Sequence, residues 1–334
     1  MPPDPTPAAP SWVSALQSSA AAELLRPVSY EADTVVARAG ELGDHFLVIT
    51  AGSAQVTDPD DGAEVATVGA GSIVGELALL TDGIRTRDVT VVEHLEGLEG
   101  DVQAFDVAME LDEFRAHVAG CAAHRLASFA KAVPAHDHQG RLVLLRPLLP
   151  SDREAYLDAL AHASRQTLVS RFFGGGAPSR AVIDYLLDVD YVSHFAWVAL
   201  EPEGPVAEGA DPQGAGVGVA RYIRDRNDPT TAEWAVAVTE THRRRGVASL
   251  LLGALGVTAV ASGIETLTAN VLADNVAMRA LLDEIGATWE RVEPGVVATS
   301  LPAVRFAALF EDEAVPALEE SIAAMTHAAN LALA

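Results

Sequence analysis

The chain has 334 residues, 22 of them basic and 47 acidic, which sets its formal net charge at −25. An excess of that sign excludes nucleic-acid binding driven by overall charge, and an apolar content of 49% excludes wholesale disorder. At roughly 100–200 residues per domain the length predicts two domains, each with enough apolar residues for its own core. Lys131 is the only lysine and Cys121 the only cysteine, so neither an intrachain disulfide nor a cysteine-based zinc site can form.

The start, Met1-Pro-Pro-Asp-Pro-Thr-Pro-Ala-Ala-Pro10, is proline-rich, and residues 1–11 are expected to be a disordered tail. It lacks the basic and apolar regions of a secretory signal, and no later apolar run is long and uninterrupted enough to span a bilayer. A cytoplasmic protein without a membrane partner is expected. From about Ser29 to Val92 short apolar strands alternate with turns at 41–44, 58–62 and 69–71, the rhythm of a small antiparallel β-roll. Phe105, Met109, Leu111, Phe114, Val118, Leu126 and Phe129 then recur at helical spacing, with Cys121 expected as a small buried residue among them.

Two stretches of this first region carry chemistry. Residues 40–52 place two glycine turns around a strand, and residues 71–80 lead to Arg85-Thr86. Gly75 lets the backbone approach a ligand closely, the apolar turn 77–80 offers free N–H groups to an anion, and Arg85 supplies the matching charge. Glu76 cannot bind a phosphate but can accept from a sugar hydroxyl. The run Gly75-Glu76-Leu77-Ala78-Leu79 followed by Arg85-Thr86 resembles the cyclic nucleotide-binding domain, over residues 12–132. That resemblance implies a site for cyclic AMP made by Gly75, Glu76, Leu77, Ala78, Arg85 and Thr86. Arg87 is the alternative arginine, since Arg87-Asp88 also fits the pattern if the loop is two residues longer.

Residues 133–140 read as a linker. Beyond them the spacing predicts strands at 142–147, 196–200, 217–223, 232–238 and 266–271, and helices at 151–163 and 179–188, from Gly246 and from Asn275. That is a mixed α/β order over 141–303, so the whole chain is expected to be an α+β multidomain protein, a β-roll with flanking helices followed by a mixed α/β domain. Pro202–Gly214 reads as a hairpin excursion. Residues 304–334 have the spacing of one or two amphipathic helices, with Leu309, Leu318, Ile322 and Met325 apolar.

The informative run in the second domain is Thr231 to Leu252. A strand ends near Val238, a basic turn Arg243-Arg244-Arg245 follows, and a helix begins at Gly246-Val247-Ala248-Ser249. Consecutive N–H groups at a helix start, beside small residues and positive charge, make a cradle for a pyrophosphate. The pattern Arg243-x-x-Gly246-x-Ala248, with Asn270 ending the next strand and the helix Asn275 to Gly286, resembles the GNAT acetyltransferase superfamily over residues 141–300. The resemblance implies acetyl-CoA as substrate. It also implies coenzyme contacts from Val236, Val238, Arg243, Arg244, Arg245, Gly246, Val247, Ala248, Ser249, Asn270, Asn275 and Arg279.

Transfer to an amine needs a base, because an ammonium of pKa about 10.4 is not nucleophilic at neutral pH. Glu233, ten residues before Arg243, stands where the protein lysine acetyltransferases of the superfamily carry that glutamate. The Val238 N–H is expected to hold the oxyanion, while the general acid is unassigned, as the helix from Asn275 has no tyrosine. Ser164 to Phe173, with Arg171-Phe172-Phe173, resembles a segment of bacterial protein acetyltransferases acting on AMP-forming acyl-CoA synthetases, which implies protein substrates with reactive lysines. The architecture as a whole resembles the mycobacterial Pat-type acetyltransferases. The added segment 304–334 is expected to act as a lid, and 103–132 as the relay from nucleotide to enzyme. Gly214 to Gly218 is read as strand entry rather than a dinucleotide loop, and the pairs His136/His138 and His117/His124 lack the further ligands a metal needs.

Overall fold

The computed structural model describes residues 10–60, 62–81, 83–172, 178–204, 214–310 and 312–330. The tail expected at 1–11 therefore lies almost wholly outside the described residues, as do Phe173, Gly174–Gly176 and most of the excursion after Pro202. The chain divides into two compact units, with the division inside one long helix, between Ala122 and Ala123.

The first unit contains α1 (Ser11–Gln17), β1 (Arg26–Tyr30), β2 (Val35–Ala37), β3 (His45–Thr57), β4 (Glu64–Gly69), β5 (Ile73–Val74), the short α2 (Glu76–Leu80), β6 (Asp88–Asp101), α3 (Val102–Met109) and the start of α4 (Asp112–Phe129). Its sheet runs β1-β6-β3-β4, with β2 on β6 and β5 on β3, and every pairing is antiparallel. Alternation along β3 sorts the core into two. Phe46 and Val48 face a cluster with Trp12, Leu16, Phe105 and Phe114, while Leu47 and Ile49 face Val89, Val91 and Leu95 inside the roll. Phe46, Phe105 and Phe114 lie with ring centroids 5.4–6.0 Å apart, which fastens α3 and α4 to the roll. Cys121 is half-buried at the edge of this cluster, its Sγ 3.5 Å from His117 Nε2.

The second unit contains β7 (Val133–His136), β8 (Leu142–Pro147), α5 (Arg153–His162), α6 (Arg165–Phe172), α7 (Arg180–Leu187), β9 (His194–Pro202), β10 (Gly214–Arg224), β11 (Thr231–Val238), α8 (Val247–Ala261), β12 (Thr266–Leu272), α9 (Val276–Glu284), β13 (Glu290–Glu293), β14 (Val296–Pro302), α10 (Ala303–Ala307) and α11 (Val315–Asn330). One eight-stranded sheet runs β13-β14-β12-β11-β10-β9-β8-β7. Only β11 and β12 are parallel. Eleven of the fifteen residues of α8 are buried, as its apolar sequence all round requires. Gly256 lets α10 lie directly on α8, where a Cβ would meet Ala307 N at 2.3 Å.

Two expectations change here. Residues 133–136, read as linker, are the edge strand β7 paired with β8, and 137–140 are the turn between them. Val133 and Ala135 alternate inward among polar residues that hid the pattern. The C-terminal segment is not an appendage either: Leu318, Ile322 and Met325 are fully buried in the core of the second unit with Phe306 and Phe310, each contributing about 1.5–3 kcal/mol by burial.

Candidate functional sites

In the first unit Gly75 takes φ +91° and opens α2. A Cβ there would stand 2.5 Å from Arg85 Nη1 and 2.8 Å from the His45 carbonyl, so this position admits only glycine. Arg85, 7% exposed, is drawn inward by backbone bonds: its N–H donates to Glu41 O and its carbonyl accepts from Gly40 N–H. Its Nη2 donates to the His45 carbonyl at 3.0 Å and lies 3.1 Å from His45 Nε2. Burial lowers the pKa of Arg85, opposed by the charges of Asp44, Glu41, Glu76 and Glu99. A small hollow opens in front of it, lined by Tyr30, Val36, Ala37, His45, Leu47, Val74, Arg85 and Glu99.

Glu76 is fully buried, as are Leu77 and Ala78 nearly so, while Thr86 is exposed. Arg87 turns elsewhere, to Asp58 at 3.2 Å, and does not line the hollow. Of these lining residues the sequence marks only Arg85, and the polar ones it does not mark are Tyr30, His45 and Glu99. Tyr30 donates to Glu99 at 2.8 Å and is pushed up to about 12 by burial and that bond. Burial alone would raise Glu99, but hydrogen bonds from Tyr30 and Arg26 outweigh it and hold the carboxyl below its usual range. Nothing local in sequence marks His45 or Glu99; β3 and β6 bring them to Arg85 from 40 residues before it and 14 after.

In the second unit the site grows from a parting of strands. β11 and β12 pair only at Thr231↔Thr266, Ala232↔Leu267 and Glu233↔Thr268, although β11 continues to Val238 and β12 to Leu272. Thr239 N–H donates to Val217 O on the β10 side; since backbone groups alternate along a strand, the N–H groups of Val236 and Val238 turn toward the gap. Glu233 stands exposed where the gap begins, and Asn270 is exposed across it on β12. Past the end of β11 comes Gly246 at φ +87°, N-cap of α8 with no side chain capping it. The first-turn N–H groups of Val247, Ala248 and Ser249 are thus left to a ligand or water, where the helix dipole favours an anion.

The three arginines of the turn separate. Arg245, 7% exposed, bonds Asp137 Oδ2 and Glu201 Oε1, both at 2.7 Å, and these carboxylates raise its pKa. Its side chain is withdrawn from the set expected to face a pyrophosphate. Arg243 is exposed and donates to Thr167 Oγ1 at 2.6 Å, which in turn donates to Glu240. Arg244 is exposed with φ +60°. Asn275 Oδ1 caps α9 by accepting from Met278 N–H, leaving its amide nitrogen, and Arg279 donates to Ala273 O and lies over the Trp289 ring. The ring of His138 covers the Cα of Gly246, 2.4 Å from where a Cβ would stand.

The segment with Arg171 proves to be the end of α6, which packs on β11. His117 stacks on Trp12 and His124 meets Tyr191 edge-on. Among the described residues no group of three or more His, Cys, Asp or Glu side chains could hold a metal ion, and no helix is long and apolar enough to cross a membrane.

Residues 27–112 match the family model of the cyclic nucleotide-binding domain, and residues 176–287 that of the GNAT acetyltransferase family. Acetyltransferase Pat of Mycolicibacterium smegmatis is 37% identical over 280 residues, 83% of this chain and 81% of that one. An acetyltransferase of Pseudomonas aeruginosa is 32% identical over 154 residues, 46% of this chain and 78% of its own. The solved structure of a cAMP-binding acyltransferase from Mycobacterium smegmatis superposes with a TM-score of 0.50 at 32% identity, over 95% of this chain and 92% of that one. The chain, whose cyclic nucleotide-binding domain precedes its GNAT domain, is a GNAT-type acetyltransferase and belongs to the Pat acetyltransferases.

Proposed function

We propose that this enzyme transfers acetyl from acetyl-CoA to lysine ε-amines of other proteins, under control of cyclic AMP, and that AMP-forming acyl-CoA synthetases are among its targets. The reading is carried by the strand gap that starts at Glu233 and runs out to the α8 N-terminus. One end offers a carboxylate to an amine and the other offers amides to a pyrophosphate. Glu233 takes the ammonium proton, directly or through water; the free amine attacks the thioester carbonyl; the Val238 N–H holds the oxyanion; the intermediate collapses as the C–S bond breaks, and the nitrogen's surplus proton passes to the departing thiolate, directly or through water, to give the amide and the coenzyme thiol. In the first unit Arg85 and the turn from Gly75 take the cyclic phosphate and Glu76 the ribose hydroxyl. Both small molecules are cytoplasmic, and the cytoplasm is the proposed location.

The decisive substitution is Glu233→Gln. Acetyl transfer to protein should fall about 10²–10⁴-fold in kcat/KM, while acetyl-CoA binding by calorimetry stays unchanged; retained transfer refutes Glu233 as the base. The C-terminal segment remains in the proposal as a lid that covers the site when nucleotide is absent. Its release would break the packing of Leu318, Ile322 and Met325. A truncation before α11 should raise nucleotide-free activity, and unchanged or lower activity in a folded truncation refutes the cover.

A further inference from the structure

Arg221 is 1% exposed. Its Nη1 donates to the Leu186 carbonyl and lies 3.0 Å from His194 Nε2, whereas Nη2 is buried with no hydrogen-bond partner among the described residues. The imidazole is a neutral acceptor: its Nδ1 faces the Asp188 carbonyl at 2.9 Å and so carries the proton, and burial beside Arg221 drives its pKa down to about 4. No carboxylate pairs with Arg221 among the described residues. A guanidinium does not shed its proton, so its charge stays in the core, at a cost that ordinarily demands an ionic partner.

A second cation adds to the first. Arg171, half-buried at the end of α6, has the Phe172 ring 5.1 Å away and no ion pair among the described residues. Tyr156 and Glu233 are its electrostatic neighbours, and Tyr156 and Arg171 are those of Arg221, whose Cζ is 5.9 Å from the Tyr156 ring. Sheet register places this cluster relative to the proposed base. Ile223 pairs with Glu233 and Arg221 with Ala235, so Arg221 shares a face with Glu233 and is its diagonal neighbour across β10 and β11. That face is the one covered by α5, α6 and α7, opposite the face on which Trp234 and Tyr222 meet α8.

We infer that Arg171 and Arg221 form a carboxylate subsite on the acceptor side of Glu233, which takes an acidic side chain flanking the target lysine. Two guanidinium groups short of partners match a carboxylate's paired oxygens in charge and planar geometry. Acetyl-CoA has no carboxylate to offer, and its phosphates belong to the cradle beyond the far end of β11. The inference rests on the protein-lysine reading above and narrows its substrate class.

The experiment uses the full chain with acetyl-CoA, cyclic AMP and two peptides that differ only in Glu or Gln beside one lysine, with Glu tried on each side. Wild type should prefer a Glu peptide by about tenfold in kcat/KM, mostly through KM. Arg171→Gln should erase most of that preference, lowering kcat/KM far more on the Glu peptide than on the Gln peptide, and Arg171→Lys should restore part of it. Arg221→Lys, checked for native circular dichroism, should also narrow it. Equal use of both peptides by wild type, or an equal loss on both in Arg171→Gln, overturns the subsite. Preferential acetylation of a free amino acid over either peptide overturns the flanking side chain as the source of the carboxylate. A wild-type protein that acetylates small amines and no peptide or protein refutes the protein-lysine reading itself, and the inference with it.

Discussion

The two units each place an arginine beside a glycine of positive φ, and the two arginines are equally buried. Gly75 at +91° adjoins Arg85, Gly246 at +87° adjoins Arg245, and both arginines are 7% exposed. Their partners differ. Arg85 is held by a carbonyl and an imidazole of His45, groups that position it without neutralising it. Arg245 is held by the carboxylates of Asp137 and Glu201. A phosphate entering the first site meets a full positive charge that exchanges weak partners for a strong one. A phosphate at the second would have to displace two carboxylates, so there the proposal assigns the anion to backbone amides and to the exposed Arg243. Burial alone cannot tell a binding arginine from a structural one; the charge of its partners can.

The largest effect expected from this contrast is on stability. Asp137→Asn removes a carboxylate that accepts from Arg245 and from the backbone of Gln139 and Arg141, and should cost about 3 kcal/mol, the scale for breaking a buried pair. Thermal unfolding of the second unit checks it, and a melting point within a degree of wild type would show that Arg245 is not locked. The pH dependence has a fixed sign. Burial would raise the Asp137 carboxyl, but backbone bonds and Arg245 outweigh it and depress its pKa in the fold. Its contribution is therefore complete above the unfolded value of about 4 and is lost as pH falls through the folded value below that. Below about pH 4 the wild-type and Asp137→Asn unfolding curves should converge.

Next comes ligand affinity in the first unit. Arg85→Gln removes charge-assisted bonds worth about 1.5–3 kcal/mol, so cyclic AMP should bind roughly ten- to hundredfold more weakly by calorimetry. The melting point should change less than in Asp137→Asn, because the hydrogen-bond partners left behind are a carbonyl and an imidazole rather than a carboxylate. A large loss of stability with intact binding would reverse the roles assigned to Arg85 and Arg245.

What the sequence disclosed follows the same division. Strand and helix order in the second unit was legible because β8, β11 and β12 are short apolar runs closed by turns, and α8 is a long one opened by Gly246. The glycines themselves were legible, since a positive φ leaves a mark at one position. Whether Arg243, Arg244 or Arg245 faces a ligand was not legible, because Asp137 and Glu201 stand 108 and 44 residues from Arg245 and meet it only in the fold. For the same reason no sequence signal joins His45 and Glu99 to Arg85, and β7 has the composition of a linker: its partner strand, not its composition, makes it a strand.

The smallest effects are expected at Arg243 and Arg87. Arg243→Gln gives up a cation that donates to the hydroxyl of Thr167 and lies near the exposed Glu240. An exposed charge facing a phosphate contributes on the order of 1 kcal/mol or less, so KM for acetyl-CoA should rise only a few-fold, with kcat and melting point unchanged. In the first unit Arg87→Gln breaks a pair with Asp58 away from the hollow, and cyclic AMP affinity should move by less than about twofold. The pair of variants tests the contrast from its weak side. A loss of nucleotide binding in Arg87→Gln as large as that in Arg85→Gln would mean that the longer-loop alignment is right and that position in the hollow is not what selects the arginine. An Arg243 variant with a lowered melting point would mean that its link through Thr167 to Glu240 holds α6 in place, so that the cradle has two structural arginines and relies on its amides alone.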